Sequence, residues 1–524
     1  MDRRTFLQAG TGIAATAAWS VAGSGGSGRA AGAARGPAVR SRHRAPTGAA
    51  PRSADWSVLA RGLGGGLVQP GDADYTSARV LYNTRFDHLR PAALAYVSGP
   101  TDIAECLAFA RRHSVPVAIR NGGHSYAGWS SGTGRLVIDV SRLSRITVSG
   151  RSEAVVGAGA KLVDVYSGLG AHGVTVPAGT CPTVGISGLT LGGGHGVASR
   201  AYGLTCDSLL GATLVTADGR TVRCSASDHS DLFWALRGAG NGNFGVVTEL
   251  RFRTHPAPAA VAVRATWPWS KAAELVRAWQ EWGPDQPDEL WSAVHLAAAA
   301  GGAARIWFSA FSLGTYKDAQ NAVDRLTGLV GSPAASVSLR SSSYLDAMIG
   351  YAGCSRYTTE QCRLPGGTPG HSPTGSLVRE TYTSRSDFYD RALPADGIRI
   401  LVDRVEAFRK LGGAGSGTVQ LTALGGAVNR IAPTATAFVH RRSRVLAQYL
   451  AAWPAGQNGA TSTTWLNGLH RAMRRHASGA AYQNYADPAL KDWRRAYYGP
   501  AAERLTRLKR QYDPQRVFDF PQAL

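Results

Sequence analysis

The 524-residue sequence predicts an α+β protein of more than one domain, and three observations carry that reading. The length and the 44% apolar content allow a large core and favour two or more domains. From Ala93 to about Thr254, short strand signals alternate with amphipathic helices and Gly or Ser turns. After Pro256-Ala257-Pro258 the pattern changes to longer helices separated by alternating strands, as in an antiparallel sheet with helices on one face.

The elements follow in order. Leu94 to Val97 reads as a strand, Ile103 to His113 as an amphipathic helix, and Val115 to Arg120 as a second strand. Leu136 to Asp139, Ile146 to Val148 and Ala154 to Gly157 are short β-rich runs; Lys161 to His172 is helical. Ala212 to Thr216 and Thr221 to Arg223 form a hairpin around Asp218-Gly219. In the second region Lys271 to Trp282, Asp318 to Leu329, Ile398 to Lys410 and Arg444 to Ala452 read as helices. Leu290 to Leu296, Ala304 to Ser312, Gly417 to Leu424 and Thr436 to His440 read as strands, the first two adjacent in one sheet. One face of that sheet is expected to wall a pocket. Trp291, His295, Gln420 and Thr422 are candidates for it, although alternation alone fits core or surface equally.

The N-terminus runs Arg3-Arg4-Thr5-Phe6-Leu7 into an apolar stretch from about Gly10 to Ala22, short for a membrane span. Paired arginines before such a stretch predict a twin-arginine export signal and a secreted protein without stable membrane insertion; a basic start with an apolar anchor is the alternative. Residues 24 to 54 are Gly, Ser, Ala, Arg and Pro with few large apolar side chains, the composition of a disordered linker. Residues 1 to 54 hold eight Arg and one Asp, so +15 of the net charge of +22 belongs to the rest of the chain. No nucleic-acid-binding signature accompanies that charge, and no nucleic-acid partner is expected. The six cysteines form no C-x-x-C pair and no metal spacing, so no metal is expected. Export permits disulfides, and Cys354 with Cys362 is the best candidate pair.

Two glycine-rich segments carry the chemistry. One is Arg120-Asn121-Gly122-Gly123-His124-Ser125-Tyr126; the other is Gly179-Thr180-Cys181-Pro182-Thr183-Val184-Gly185, continuing to Leu191-Gly192-Gly193-Gly194-His195-Gly196. Neither is a dinucleotide fingerprint or a phosphate loop. Each sets a nucleophile among glycines that let the backbone approach a ligand closely.

These segments, with Asp231 to Gly238, Asn241 to Thr248, Tyr482-Gln483-Asn484-Tyr485-Ala486-Asp487, Tyr497-Tyr498-Gly499 and Tyr512-Asp513-Pro514, resemble the berberine bridge enzyme-like flavoprotein oxidases. The resemblance runs from about Trp56 to the C-terminus. It implies a two-subdomain FAD domain of the p-cresol methylhydroxylase type over residues 55–255, a substrate domain over 256–475, and a C-terminal segment, 476–524, returning to the FAD domain. It implies FAD bound covalently through His124 at the 8α-methyl and Cys181 at ring carbon six.

The resemblance further assigns Arg120, Asn121, Gly122, Gly123 and Ser125 to the first cofactor loop, the two glycines supplying amides to the pyrophosphate. Val184, Gly185, Gly188, Gly193 and Gly196 belong to the second, with His195 either facing the flavin or satisfying a loop carbonyl. Gly245 and Val247 would meet the ring or ribitol, and Asn484 stands beside Tyr485, the implied base. Tyr126 and then Tyr482 are further candidates. A tyrosine needs activation for that role, since the free phenol titrates near ~10.

By the same resemblance Val184, three residues after Cys181, implies an oxidase. The expected reaction is hydride abstraction from an alcohol or sugar hemiacetal, or a secondary-metabolite hydroxyl, with molecular oxygen reduced to peroxide by a monomeric enzyme. A dehydrogenase with another acceptor, an oxidative tailoring enzyme or cyclase, and a non-catalytic flavin- or carbohydrate-binding protein are the rivals.

Overall fold

The structure, a computed structural model, describes residues 51–524. The twin-arginine segment, the apolar run after it and nearly all of the linker expected over 24–54 lie outside the described residues. The helix Ser53–Gly62 already includes the last two of those linker positions.

The first region holds two sheets. Ala93–Tyr96, Leu136–Asp139 and Val117–Arg120 run parallel, with Leu67–Val68 antiparallel on the outer edge. Every residue of Ala93–Tyr96 and Leu136–Asp139 is buried, which is why both lack alternation; the one charged side chain, Asp139, is paired with Arg120. The helix Pro100–His113 connects two of these strands. It starts with Pro in its first turn, sinks Ile103, Cys106, Leu107 and Ala110 into the core, and stops at Ser114 in the left-handed region. The second sheet is antiparallel: Ile146–Ser149, Glu153–Gly157, Val246–Arg253, Leu209–Val215 and Thr221–Ser225 in that spatial order.

The second region is a seven-stranded antiparallel sheet with the order Ser336–Ser342, Ala260–Trp267, Ala304–Ser312, Leu290–Ala299, Ser416–Ala423, Val445–Ala452, Tyr382–Tyr389. Val294, Leu296, Val419, Leu421, Ala447 and Tyr449 bury one face in a core shared with the helices Ala272–Trp282, Ala395–Ala407 and Ala460–Arg474. The intervening residues His295, Gln420 and Gln448 stand in register across three neighbouring strands, on the opposite face. The C-terminal helix Ala502–Tyr512 and Trp493, Tyr497 and Tyr498 pack into the core of the first region. Cys354 and Cys362 are disulfide-bonded, with Cα atoms 5.7 Å apart.

Two expectations are corrected. Arg444 to Ala452 is not a helix but the strand Val445–Ala452. Leu, Ala and Gln favour helix, yet this strand is covered on both faces, and burial of seven of its eight residues removes the alternation that would have marked it. Thr436 to His440 is not a strand. Its amides serve the neighbouring helix Ser230–Ala239 instead: Ala437 donates to Trp234 O at 3.3 Å and Phe438 to Arg237 O at 3.1 Å.

Candidate active site

The strand Val117–Arg120 ends at the carboxyl edge of the parallel strands, and the loop it releases is the first glycine segment. His124 stacks on Tyr82, with ring centroids 4.1 Å apart, and its Nε2 lies 2.8 Å from Thr183 Oγ1. Burial, with Lys161 nearby, pushes the imidazole down to about 3, so it is neutral at physiological pH. Asn121 points beneath the loop. Its amide donates to Ala158 O and, at 3.2 Å, to Ser187 Oγ, while its oxygen accepts from the buried Lys161 ammonium at 2.6 Å. Ser125 Oγ accepts from Trp129 N–H at 3.1 Å.

The second glycine segment lies directly against the first. A Cβ on Gly122 would collide with Thr183 O and Gly185 N, so the His124 and Cys181 loops touch backbone to backbone. Burial and then the Glu380 carboxylate push the Cys181 thiol up to about 12. Gly196 abuts the Ala178 carbonyl so closely that no side chain fits. Among the described residues the His195 ring holds no loop carbonyl; Trp291 Nε1 reaches its Nε2 at 3.5 Å, and burial pushes it down to about 4.

These loops line a cavity of about 330 Å³ that also reaches Val184, Gly188, Gly245, Val247 and Asn484. The pairing of Val246–Arg253 with Leu209–Val215 slips between Val247 and Glu249, a bulge that interrupts the ladder beside the cavity.

Tyrosines close the third side. Tyr126 and Tyr485 stack in parallel, and Tyr382 meets Tyr126 edge-on at 5.3 Å. Gln448 Nε2 donates to Tyr126 Oη at 2.8 Å. Tyr482 Oη accepts from Gly194 N–H and Asn484 Nδ2, each at 2.9 Å. Burial raises all three candidate phenols above their ordinary value; at Tyr485 neighbouring tyrosines and Cys181 add to it, and no cation offsets it.

Most of the sequence-derived site residues therefore meet around one cavity, and two do not line it. Arg120 spends its guanidinium on Asp139, on Ala78 O at 2.7 Å and on Tyr96 Oη. Gly193 turns the loop at φ 120° against Phe438. Of the sheet candidates, Trp291, His295 and Gln420 line the cavity, whereas Thr422 only receives Gln420 Nε2 at 3.0 Å. Sequence reading missed Tyr82, Glu380, Tyr382 and Gln448, none of which sits in a motif.

Comparison with known proteins agrees with this arrangement. Residues 91–225 match the FAD binding domain family, and residues 481–524 match the berberine and berberine-like family. The chain is 32% identical over 474 residues to the FAD-linked oxidoreductase YgaK of Bacillus subtilis, covering 88% of this chain and 97% of that one. It is 28% identical to the chitooligosaccharide oxidase of Gibberella zeae, over 87% and 91% of the two chains. The solved structure of Physcomitrella patens BBE-like 1 superposes with a TM-score of 0.80 at 28% identity, over 90% of this chain and 98% of that one.

Proposed function

Because the chain belongs to the berberine bridge enzyme-like FAD-linked oxidoreductases, we propose that it is a bicovalent oxidase that removes hydride from an alcohol or sugar hemiacetal and passes the electrons to molecular oxygen. The residues present fit FAD. Nothing lies within 4 Å of where a Cβ on Gly188 would project, and Gly188 lines the cavity. Ser130 Oγ, Asn241 Oδ1, Gln483 Oε1 and Gln522 Oε1 belong to cavity-lining residues and are buried without partners among the described residues, polar atoms that a cofactor's ribityl, phosphate and ring edges would satisfy.

Bound there, FAD supplies the two-electron acceptor. Backbone contact between the two loops supports a double tether. It sets His124, neutral and held at Nε2 by Thr183 Oγ1, and Cys181 on adjoining walls, so one ring system can meet both. Val184, between Cys181 and Gly185 on the cavity wall, supports oxygen as the acceptor.

The single observation that carries the chemistry is the Tyr126–Tyr485 stack fixed by Gln448. Tyr485 takes the substrate hydroxyl proton. It does so as the phenolate, its own proton having gone to solvent; burial raises the phenol, so this form is scarce near neutral pH and its share grows as pH rises. Gln448 donates to Tyr126 and so favours negative charge on that oxygen, which suits Tyr126 to share the proton. His295 and Gln420 on the sheet face offer polar contacts for a hydroxyl-rich substrate, and the likeness to a chitooligosaccharide oxidase supports an oligosaccharide. Arg3-Arg4 supports export by the twin-arginine route.

The test is an anaerobic bleaching screen over oligosaccharides, aryl alcohols and polyketide glycosides, followed by peroxide assay in air. Bleaching by an alcohol with stoichiometric peroxide is expected. No bleaching by any of them would remove the alcohol-oxidase reading, and bleaching without peroxide would leave a dehydrogenase.

A further inference from the structure

Glu380 has no place in the chemistry above, yet it lines the cavity together with the His124 and Cys181 loops. Its backbone is fixed: its carbonyl accepts from Thr84 N–H at 2.8 Å and it bridges to Asn83. Its carboxyl has no hydrogen bond or ion pair among the described residues. The adjacent Arg379 is spent on Asp87 and on Leu81 O, and the other carboxyl of the lining, Asp519, is held by Arg516. Burial alone raises Glu380 to about 8. A carboxyl in such a place lacks a countercharge.

Around it the walls are aromatic. Tyr82, Tyr126 and Tyr382 all lie close enough to feel its charge. Tyr485 stacks on Tyr126 to extend the wall. Aromatic faces beside an unpaired carboxylate are the elements that bind an ammonium group: the rings supply cation–π attraction and the carboxylate the countercharge.

On the reading that this cavity takes the alcohol substrate, we propose that Glu380 and the tyrosines around it form an ammonium subsite, so that the substrate is an alcohol or sugar bearing a basic amine. The amine and the oxidised carbon are then separate ends of one molecule, Glu380 holding the first while Tyr485 meets the second.

The test is calorimetric titration of the FAD-loaded protein with choline and with 3,3-dimethylbutan-1-ol, its uncharged carbon isostere. Choline is expected to bind about tenfold or more tightly than the isostere. The advantage should grow from pH 6 to 9 as Glu380 ionises, because the groups facing it do not titrate there: Tyr82, Tyr126 and Tyr382 are raised, and Cys181, bonded to the flavin, has no thiol proton. Choline carries a fixed charge, so the rise reports the protein. Glu380→Gln should abolish the preference and Glu380→Asp should keep part of it. Equal affinity for the two ligands, no measurable choline binding, or an unchanged preference in Glu380→Gln would each overturn the subsite. Oxidation of neutral alcohols without a choline preference would leave the oxidase reading standing; choline binding with no alcohol able to bleach the flavin would do the reverse.

Discussion

Tyr126 and Tyr485 lie face to face, ring centroids 5.0 Å apart and planes within 7°, and Gln448 from the seven-stranded sheet donates to the first of them at 2.8 Å. One ring comes from the first glycine loop and the other from the C-terminal segment, so the stack joins all three parts of the site. Tyr485→Phe removes a hydroxyl and keeps the ring. Folding and flavin loading should persist while anaerobic flavin reduction slows by ~100-fold to ~10,000-fold. An unmodified reduction rate across pH would move the base to Tyr126 and then Tyr482.

Gln448→Leu keeps the strand apolar but removes the donor to Tyr126. Flavin reduction should slow by about fivefold, the scale of one neutral hydrogen bond of ~1 kcal/mol. Reoxidation by oxygen should not change; stopped-flow measurement of both half-reactions checks the split, and equal slowing of both would mean a general distortion.

Much of this site is legible in the sequence because its chemistry is local. His124 and Cys181 announce themselves by the glycines around them, and those glycines are needed where backbones touch, as at Gly122 and Gly196. Arg120 and Asn121 show the limit of adjacency. They sit in the motif, yet Arg120 turns to Asp139 and Asn121 to Lys161 beneath the loop. Glu380 and Gln448 belong to no motif, and each acquires its place only by pairing with a distant strand or loop, as in the Asn83 to Glu380 bridge. The strand Val445–Ala452 was illegible for the opposite reason: burial on both faces erased its period.

Gly122→Ala tests the contact between the two loops. The added methyl meets backbone, not a movable side chain, so the loops must part. The variant should fold with little bound flavin, measured as the ratio of visible to ultraviolet absorbance, and full flavin content would show that the contact is not needed.

The buried pair Arg441 and Asp207 ties the turn after the second glycine loop to the segment before the strand Val445–Ala452, with two bonds of 2.7 and 2.8 Å. Arg441→Met strands the Asp207 carboxylate in the interior. A loss of about 3–5 kcal/mol is expected, seen as a lower denaturation midpoint; a shift under ~1 kcal/mol would mean that water reaches the pair.

The account rests most heavily on two bonds to one flavin. Intact-mass measurement of the denatured protein tests it directly, comparing the unmodified chain, His124→Ala, Cys181→Ala and the double variant. The FAD mass should be retained in the first three and absent from the fourth. An unmodified chain that sheds its flavin on denaturation would contradict the covalent claim, and a single variant that sheds it would contradict the double tether.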